Sequence, residues 1–373
     1  MAYNVIKISR ISPATDLSAS TNSPSHLATP STHSSSPSSS TPSPSSFHTF
    51  SLSPATSSGN TEDPKPHIIL SPQDAVSLTV AETDTDFSHL SGKGLRYQTE
   101  LRPLVPELPV SSDSSPILTL QITLFPNQGF CIGTRIHHAA VDGKTLVKFL
   151  KSWAHICKYG TILQDLDSPM LLDRTVINLP SELPNLSIDV RTLKLPPVKE
   201  IEEDVVRFTF ELTHENVKKL MERAKSESTR DRLDPPVPAS YFGNCVLPVN
   251  FLGYKAKTFL GEEGFVNGVE IVNDAVRDLS SRGAESIWEL YEEGLKKIEP
   301  GMQKLSVGGS TRFGIYGTDF GWGRPVHTVN VSNSGNLLYS MSESRDETGG
   351  VEIGMCLKKC EMDVFVTEFQ NGL

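Results

Sequence analysis

Within HHAAVDG (residues 137–143), His138 and Asp142 stand four positions apart, a pairing that could set a base beside a carboxylate. Transfer of an acyl group to a hydroxyl requires a group that removes the hydroxyl proton, and a neutral imidazole, titrating at about pH 6.5 when unperturbed, suits that work. The pattern is short, and chance supplies it often. The doubled histidine could instead belong to a metal site. No third ligand of matching type stands nearby, however, and His137 and His138 on a strand would point to opposite faces. A plainer reading makes one imidazole a core residue and Asp142 the N-cap of a helix.

The elements on either side must position these groups. Phe130, Ile132, Thr134 and Ile136 alternate with Cys131, Gly133, Arg135 and His137, which predicts a strand. Leu146, Phe149, Leu150, Trp153, Ala154 and Cys157 recur with the spacing of an amphipathic helix, and Gly160 can stop it. His138 therefore falls in a strand-to-helix turn, exposed at the end of a rigid strand. Upstream, residues 117–125 alternate through Leu118, Leu120, Ile122 and Leu124, and residues 126–129 supply a turn, so the two strands form a hairpin that ends at His138.

Two further stretches lie downstream, YFGNC (241–245) and YGTDFGWGRP (316–325). HHAAVDG and DFGWG, in that order, resemble the two signature motifs of the plant BAHD acyltransferases. YFGNC resembles the extra motif of the branch that acylates glycosylated flavonoids and phenolics, often with malonyl-CoA. The resemblance runs from about Pro64 to Leu373. It implies an α/β fold of two chloramphenicol-acetyltransferase-like domains, with mixed sheets flanked by helices and the active site between them. It also implies acyl-CoA, malonyl-CoA in this branch, as a co-substrate with no bound cofactor or metal, a phenolic or flavonoid glucoside as acceptor, and a monomer as the working unit.

The same resemblance assigns roles by residue. His138 matches the family's general base. Asp142 matches the aspartate that points away from the reacting centre and pairs with an arginine, fixing the loop. Asp319, Gly321 and Gly323 read as a tight hydrogen-bonded turn, and Trp322 is a candidate oxyanion donor through its indole N–H, with plain packing as the alternative. Tyr241 and Asn244 either line the acyl tunnel or pack the sheet. Arg174 and Arg312 are candidates for a malonyl carboxylate or for structural ion pairs. Lys255 and Lys257 are candidates for CoA phosphates or for a solvated face. No GxSxG elbow is present, so direct attack in a ternary complex is expected, without an acyl-enzyme.

The chain of 373 residues carries a formal net charge of −10 and no basic block, which argues against a nucleic-acid partner. No apolar run approaches a membrane span and no signal-peptide pattern opens the chain. The five cysteines (Cys131, Cys157, Cys245, Cys356, Cys360) contain no CxxC and read as buried thiols in a reducing compartment, the cytoplasm.

Three segments are expected: a disordered Ser/Pro-rich one over 1–60, an N-terminal acyltransferase domain over 61–195 carrying His138, and a C-terminal one over 196–373. Val5, Ile6 and Ile8 could form a short opening strand, while residues 12–60 have too few large apolar side chains to offset their ordering entropy. A plastid transit peptide is the alternative, although the amphipathic arginine pattern is missing. Relatives carry apolar, folded sequence here, and a further helix and strand before the RLDPP stretch (232–236). The resemblance thus implies an aberrant N-terminus and an internal deletion after Arg230, a fold incomplete relative to the family, and as the alternative function a non-catalytic or defective paralogue that retains the motifs without a complete substrate tunnel. Further strands are predicted over 76–81, 206–212, 327–331, 337–342 and 351–357. Helices are predicted from Val217 to Ala224, over 266–279 and 287–295, and through Met362, Phe365 and Phe369, with a connection between domains over 183–199.

Overall fold

The structure, a computed structural model, describes residues 3–11, 50–53, 67–70, 74–108, 115–138, 140–161, 171–173, 176, 203–224, 238, 240–246, 249, 251–261, 263–280, 293–294, 296–297, 302, 305–331 and 338–372. In chain order the strands are β1 (Tyr3–Ile11), β2 (Phe50–Ser53), β3 (His67–Leu70), β4 (Val76–Thr83), β5 (Arg96–Tyr97), β6 (Ser115–Pro116), β7 (Leu118–Phe125), β8 (Gly129–Ile136), β9 (Val205–Leu212), β10 (Ser306–Ser310), β11 (Leu338–Glu343) and β12 (Val351–Lys358). The helices are α1 (Phe87–Ser91), α2 (Gln98–Leu101), α3 (Gly143–Tyr159), α4 (His214–Ala224), α5 (Gly264–Ser280) and α6 (Lys359–Asn371).

The strands form two mixed sheets, in the orders β1-β4-β7-β8 and β10-β11-β12-β9-β5, and a small antiparallel one, β3-β2-β6. In the first, β4 runs parallel to β7 while β1 and β8 are antiparallel to their neighbours. The β7–β8 hairpin turns through Asn127 at φ 59° and pairs Phe125 with Gly129 and Leu118 with Ile136. One face of β7, carrying Thr119, Gln121, Thr123 and Phe125, is fully buried, while the other runs from buried Leu120 to exposed Leu124. Thr119, Gln121 and Thr123 are as buried as Leu120 and Phe125. Gln121 stays satisfied by donating to the Pro103 carbonyl at 2.7 Å. Helix α3 begins at its Asp142 cap and ends where Gly160, at φ 69°, donates its amide to the Ile156 carbonyl.

The two halves of the chain exchange segments. Strand β5, from the N-terminal half, completes the sheet of the C-terminal half by pairing with β9. In return, Val331 is buried with Leu90, Leu101, Leu104 and Phe125, and Val329 packs against them. The C-terminal core gathers Val206, Phe210, Met355, Leu357 and Met362, with Phe365 and Phe369 of α6 laid against it.

Several expectations need correction. Phe50–Ser53, inside the segment expected to be disordered over 1–60, is a strand, because its backbone pairs with β3 on one side and β6 on the other. The opening strand spans Tyr3–Ile11, longer than its three apolar residues indicate. Residues 327–331 are not a strand. Their groups meet side chains instead of a ladder: the Val331 carbonyl accepts from Gln98 Nε2 at 2.9 Å and the Thr328 amide donates to Tyr316 Oη at 3.4 Å. Only Cys356 is a buried thiol; Cys131 and Cys245 are half-buried, and Cys157 and Cys360 are exposed. The edge strand β10, SVGGS, carries neither alternation nor bulk and has no strand signal in the sequence. The connection over 183–199, most of the helix over 287–295, and residues 12–49 and 54–66 lie outside the described residues.

Candidate active site

Strand β8 ends at Ile136, and the chain then tightens. The His137 amide donates to the Ile117 carbonyl at 2.7 Å, and the Ala140 amide closes back on the His137 carbonyl at 2.9 Å. His137 is buried while His138 is exposed, so the paired rings face opposite environments, as their adjacency predicts. Ala140 and Val141 turn inward and pack with Ile117, Ile136, Leu146 and Phe242. Apolar anchoring on both sides of His138 thus presents its imidazole at a fixed corner.

YFGNC laces this corner from outside. Asn244 Nδ2 donates to the His138 carbonyl at 2.8 Å. The Gly243 carbonyl accepts from the Asp142 amide at 3.3 Å and from Thr145 Oγ1 at 2.9 Å. The Cys245 amide donates to Asp142 Oδ2 at 3.1 Å, and the Thr145 amide to Oδ1 at 2.8 Å. Tyr241 is buried and bridges to Leu171, so it packs the structure. Asp142 caps α3, where the helix dipole favours its charge. No arginine pairs with it among the described residues, and backbone amides meet both of its oxygens. Thr145, missed in the sequence, had one signal, a hydroxyl three positions after a capping aspartate.

The turn that follows β10 covers the start of α3. A Cβ placed on Gly143 would come within 2.9 Å of the Phe313 ring, and Lys151 Nζ donates to the Phe313 carbonyl at 3.0 Å. Arg312 therefore stands one residue from the contact with Gly143, with its side chain exposed. Arg174 lies outside the described residues. Lys255, at the N-cap, and Lys257, within it, are exposed at a short 3-10 helix, Ala256–Phe259, which packs against α5 through Phe259. No described contact joins either lysine to the His138 turn.

DFGWG occupies the other end of α3. Asp319 Oδ1 accepts from the amides of Gly321 (2.8 Å) and Gly323 (2.9 Å), which sit at φ 109° and 98°, and Oδ2 accepts from Lys158 Nζ at 2.7 Å. These contacts, the lysine first, pull the Asp319 carboxyl down to about 2. The tight turn read from the sequence is present. Trp322 is 75% exposed and packs edge-on against Phe130, ring centroids 5.2 Å apart, in line with the packing alternative. Phe130 is the second residue of β8, and His138 lies eight residues beyond it, about 26 Å along extended chain. Lys158 is likewise about 21–24 Å along the helix from the start of α3.

Known proteins bear on this arrangement. A model of the transferase family matches residues 69–232 and 228–371. A BAHD acyltransferase of Arabidopsis thaliana is 54% identical over 363 positions, covering 84% of this chain and 80% of that protein. The chain belongs to the BAHD acyltransferase family. It is accordingly an enzyme of acyl transfer, with acyl-CoA as co-substrate. Other BAHD relatives from Arabidopsis thaliana are agmatine coumaroyltransferase (49% identical, 84% of this chain and 81% of that one) and phenolic glucoside malonyltransferase 2 (42%, 83% and 80%). Among solved structures, vinorine synthase superposes with a TM-score of 0.61 over 97% of this chain and 96% of that one, at 17% identity, a likeness of fold. TRI101 of F. sporotrichioides, solved with coenzyme A and T-2, gives 0.59 over 85% and 84%, at 16% identity.

Proposed function

We propose that the chain transfers a malonyl group from malonyl-CoA to a sugar hydroxyl of a phenolic or flavonoid glucoside, with His138 as general base. His138 takes the acceptor's hydroxyl proton as the oxygen attacks the thioester carbonyl. The tetrahedral intermediate then collapses, the C–S bond breaks, and the departing CoA thiolate regains the proton from His138. Asp142 fixes the turn without touching the reacting atoms, and Arg312, exposed beside the start of α3, meets the malonyl carboxylate. The single observation that carries this reading is the exposed His138 ring on a turn whose backbone is clamped from both sides. Malonyl-using relatives at 40–42% identity support the donor. A monomer working in the reducing cytoplasm completes the proposal; the odd cysteine count supports that compartment.

A second reading has a specific support: agmatine coumaroyltransferase, at 49%, is more similar than the malonyltransferases, which favours an aromatic acyl group and an amine acceptor. Turnover of the purified chain with malonyl-CoA or coumaroyl-CoA, each against a phenolic glucoside and agmatine, separates the two. The proposal expects malonyl transfer to the glucoside, reduced by two to four orders of magnitude in His138→Ala, the usual share of a positioned base. Full activity of His138→Ala would end the general-base assignment. Replacing Arg312 by Ala should erase the preference for malonyl-CoA over acetyl-CoA, because acetyl offers no charge to pair.

A further inference from the structure

A second constellation lies away from the His138 turn, on one face of the five-stranded sheet. Antiparallel register sets Arg96 of β5 directly opposite Arg207 of β9, and the two are only 1% and 4% exposed. Like charges facing each other across a strand pair repel. Burial first, and Arg207 second, push the Arg96 guanidinium down to about 10.

Neither arginine forms an ion pair with a carboxylate among the described residues. Arg96 donates to the carbonyls of Gly94 and Leu90 (both 3.1 Å) and to Thr209 Oγ1 (3.2 Å), and it lies 3.1 Å from His327 Nδ1. Arg207 Nε donates to Gln98 Oε1, but Arg207 Nη2 is buried and meets no acceptor. The carboxylate on this wall, Glu352, is engaged elsewhere: Lys93 Nζ stands at 2.8 Å, Tyr316 Oη donates at 2.6 Å and the Arg345 amide at 3.4 Å. Lys93 is shared between Glu352 and Glu211, and Glu100 acts on Arg96, so the group left without a counterpart is the buried Nη2 of Arg207, facing a second guanidinium. Burying such a charged donor is costly unless an acceptor joins it.

Both arginines line a cavity of about 20 Å³ together with Thr209, Thr328, Ser340 and Glu352. Its space exists because position 354 is glycine; a Cβ there would strike Ser340 Oγ. The volume suits a particle about the size of one water and is too small for a phosphate. We propose that this cavity is a binding site for a small inorganic anion, chloride in the cell, held between Arg96 and Arg207. Because β5 comes from the N-terminal half and β9 from the C-terminal half, the bound ion ties the exchanged segment to its host sheet.

Crystals of the whole chain soaked in sodium bromide, with anomalous data collected at the bromine edge, provide the direct test. The expected result is an anomalous peak between the two guanidinium groups in the wild type and none in Arg207→Met, which keeps length and removes charge. In solution the wild-type Tm should rise by about 2 °C per tenfold increase in chloride at constant ionic strength balanced with gluconate, once chloride exceeds its Kd. The chloride dependence should vanish in Arg207→Met. An ordered water without anomalous signal at the cavity, or identical wild-type melts in chloride and gluconate, overturns the proposal. Neither wild-type readout depends on how the variant folds.

Discussion

At the scale of single residues, Asn244 holds the backbone that carries the His138 imidazole. Its Nδ2 donates to the His138 carbonyl at 2.8 Å. A base misplaced by about 1 Å can lose up to a hundredfold in rate. Asn244→Ala is therefore expected to lower kcat by one to two orders of magnitude with little change in KM. Asn244→Asp should do the same, because a carboxylate cannot donate to a carbonyl. Steady-state kinetics of the two variants check this, and an active Asn244→Asp enzyme would argue for a substrate-lining role instead.

At the scale of elements, α3 separates two motifs that the chain order alone would allow to converge. Its N-terminus carries the His138–Asp142 turn and its C-terminus carries Lys158 bound to Asp319. Trp322→Ala removes an exposed ring whose described stacking partner is Phe130. The expected cost is about 1 kcal/mol or less in stability with kcat unchanged. A large fall in kcat at constant Tm would return the indole to the chemistry. Asp142→Ala, in contrast, strips a helix cap and leaves the Thr145 and Cys245 amides unpaired. It should cost about 2 kcal/mol or more by urea denaturation.

At the scale of the whole molecule, His327 reports on the junction between the halves. Its Nδ1 lies 3.1 Å from Arg96 Nη1 and its Nε2 lies 3.3 Å from Thr209 Oγ1; Lys93 and Glu352 are the other charged groups acting on it. Burial first, then Arg96, push the imidazole from 6.5 to about 4. A histidine whose native pKa lies below its unfolded one is neutral when folded. Its stabilisation is complete above about pH 6.5 and is lost as pH falls towards 4, by at most about 3 kcal/mol. Melts between pH 7 and 4.5 should therefore fall more steeply for the wild type than for His327→Gln, and equal slopes would contradict this. Helix α4 points to modest overall stability: none of its side chains is buried and Met221 is 46% exposed. We propose that an internal deletion after Arg230 removes cover from this helix, and we expect hydrophobic-dye binding and a Tm at or below the usual range of about 45–65 °C.

By itself the sequence determined what short-range physics controls. Alternation marked β7, β8, β9 and β12; helical spacing with Asp142 before it and Gly160 after it bounded α3; the separation of His137 from His138 onto opposite sides followed from their adjacency. Tertiary structure decided what depends on partners distant in the chain. Phe50–Ser53 is a strand only because β3 and β6 supply its hydrogen bonds, and residues 327–331, strand-like in pattern, are not one because side chains took their backbone groups. Asn244 bonds a carbonyl 106 positions earlier, and Arg96 meets Arg207 across a register that no local signal encodes. Trp322 sits in a motif whose position in space depends on which end of α3 it meets, and composition cannot specify that. Local propensity fixes an element's type, but long-range pairing fixes which groups face each other, and the chemistry resides in those encounters.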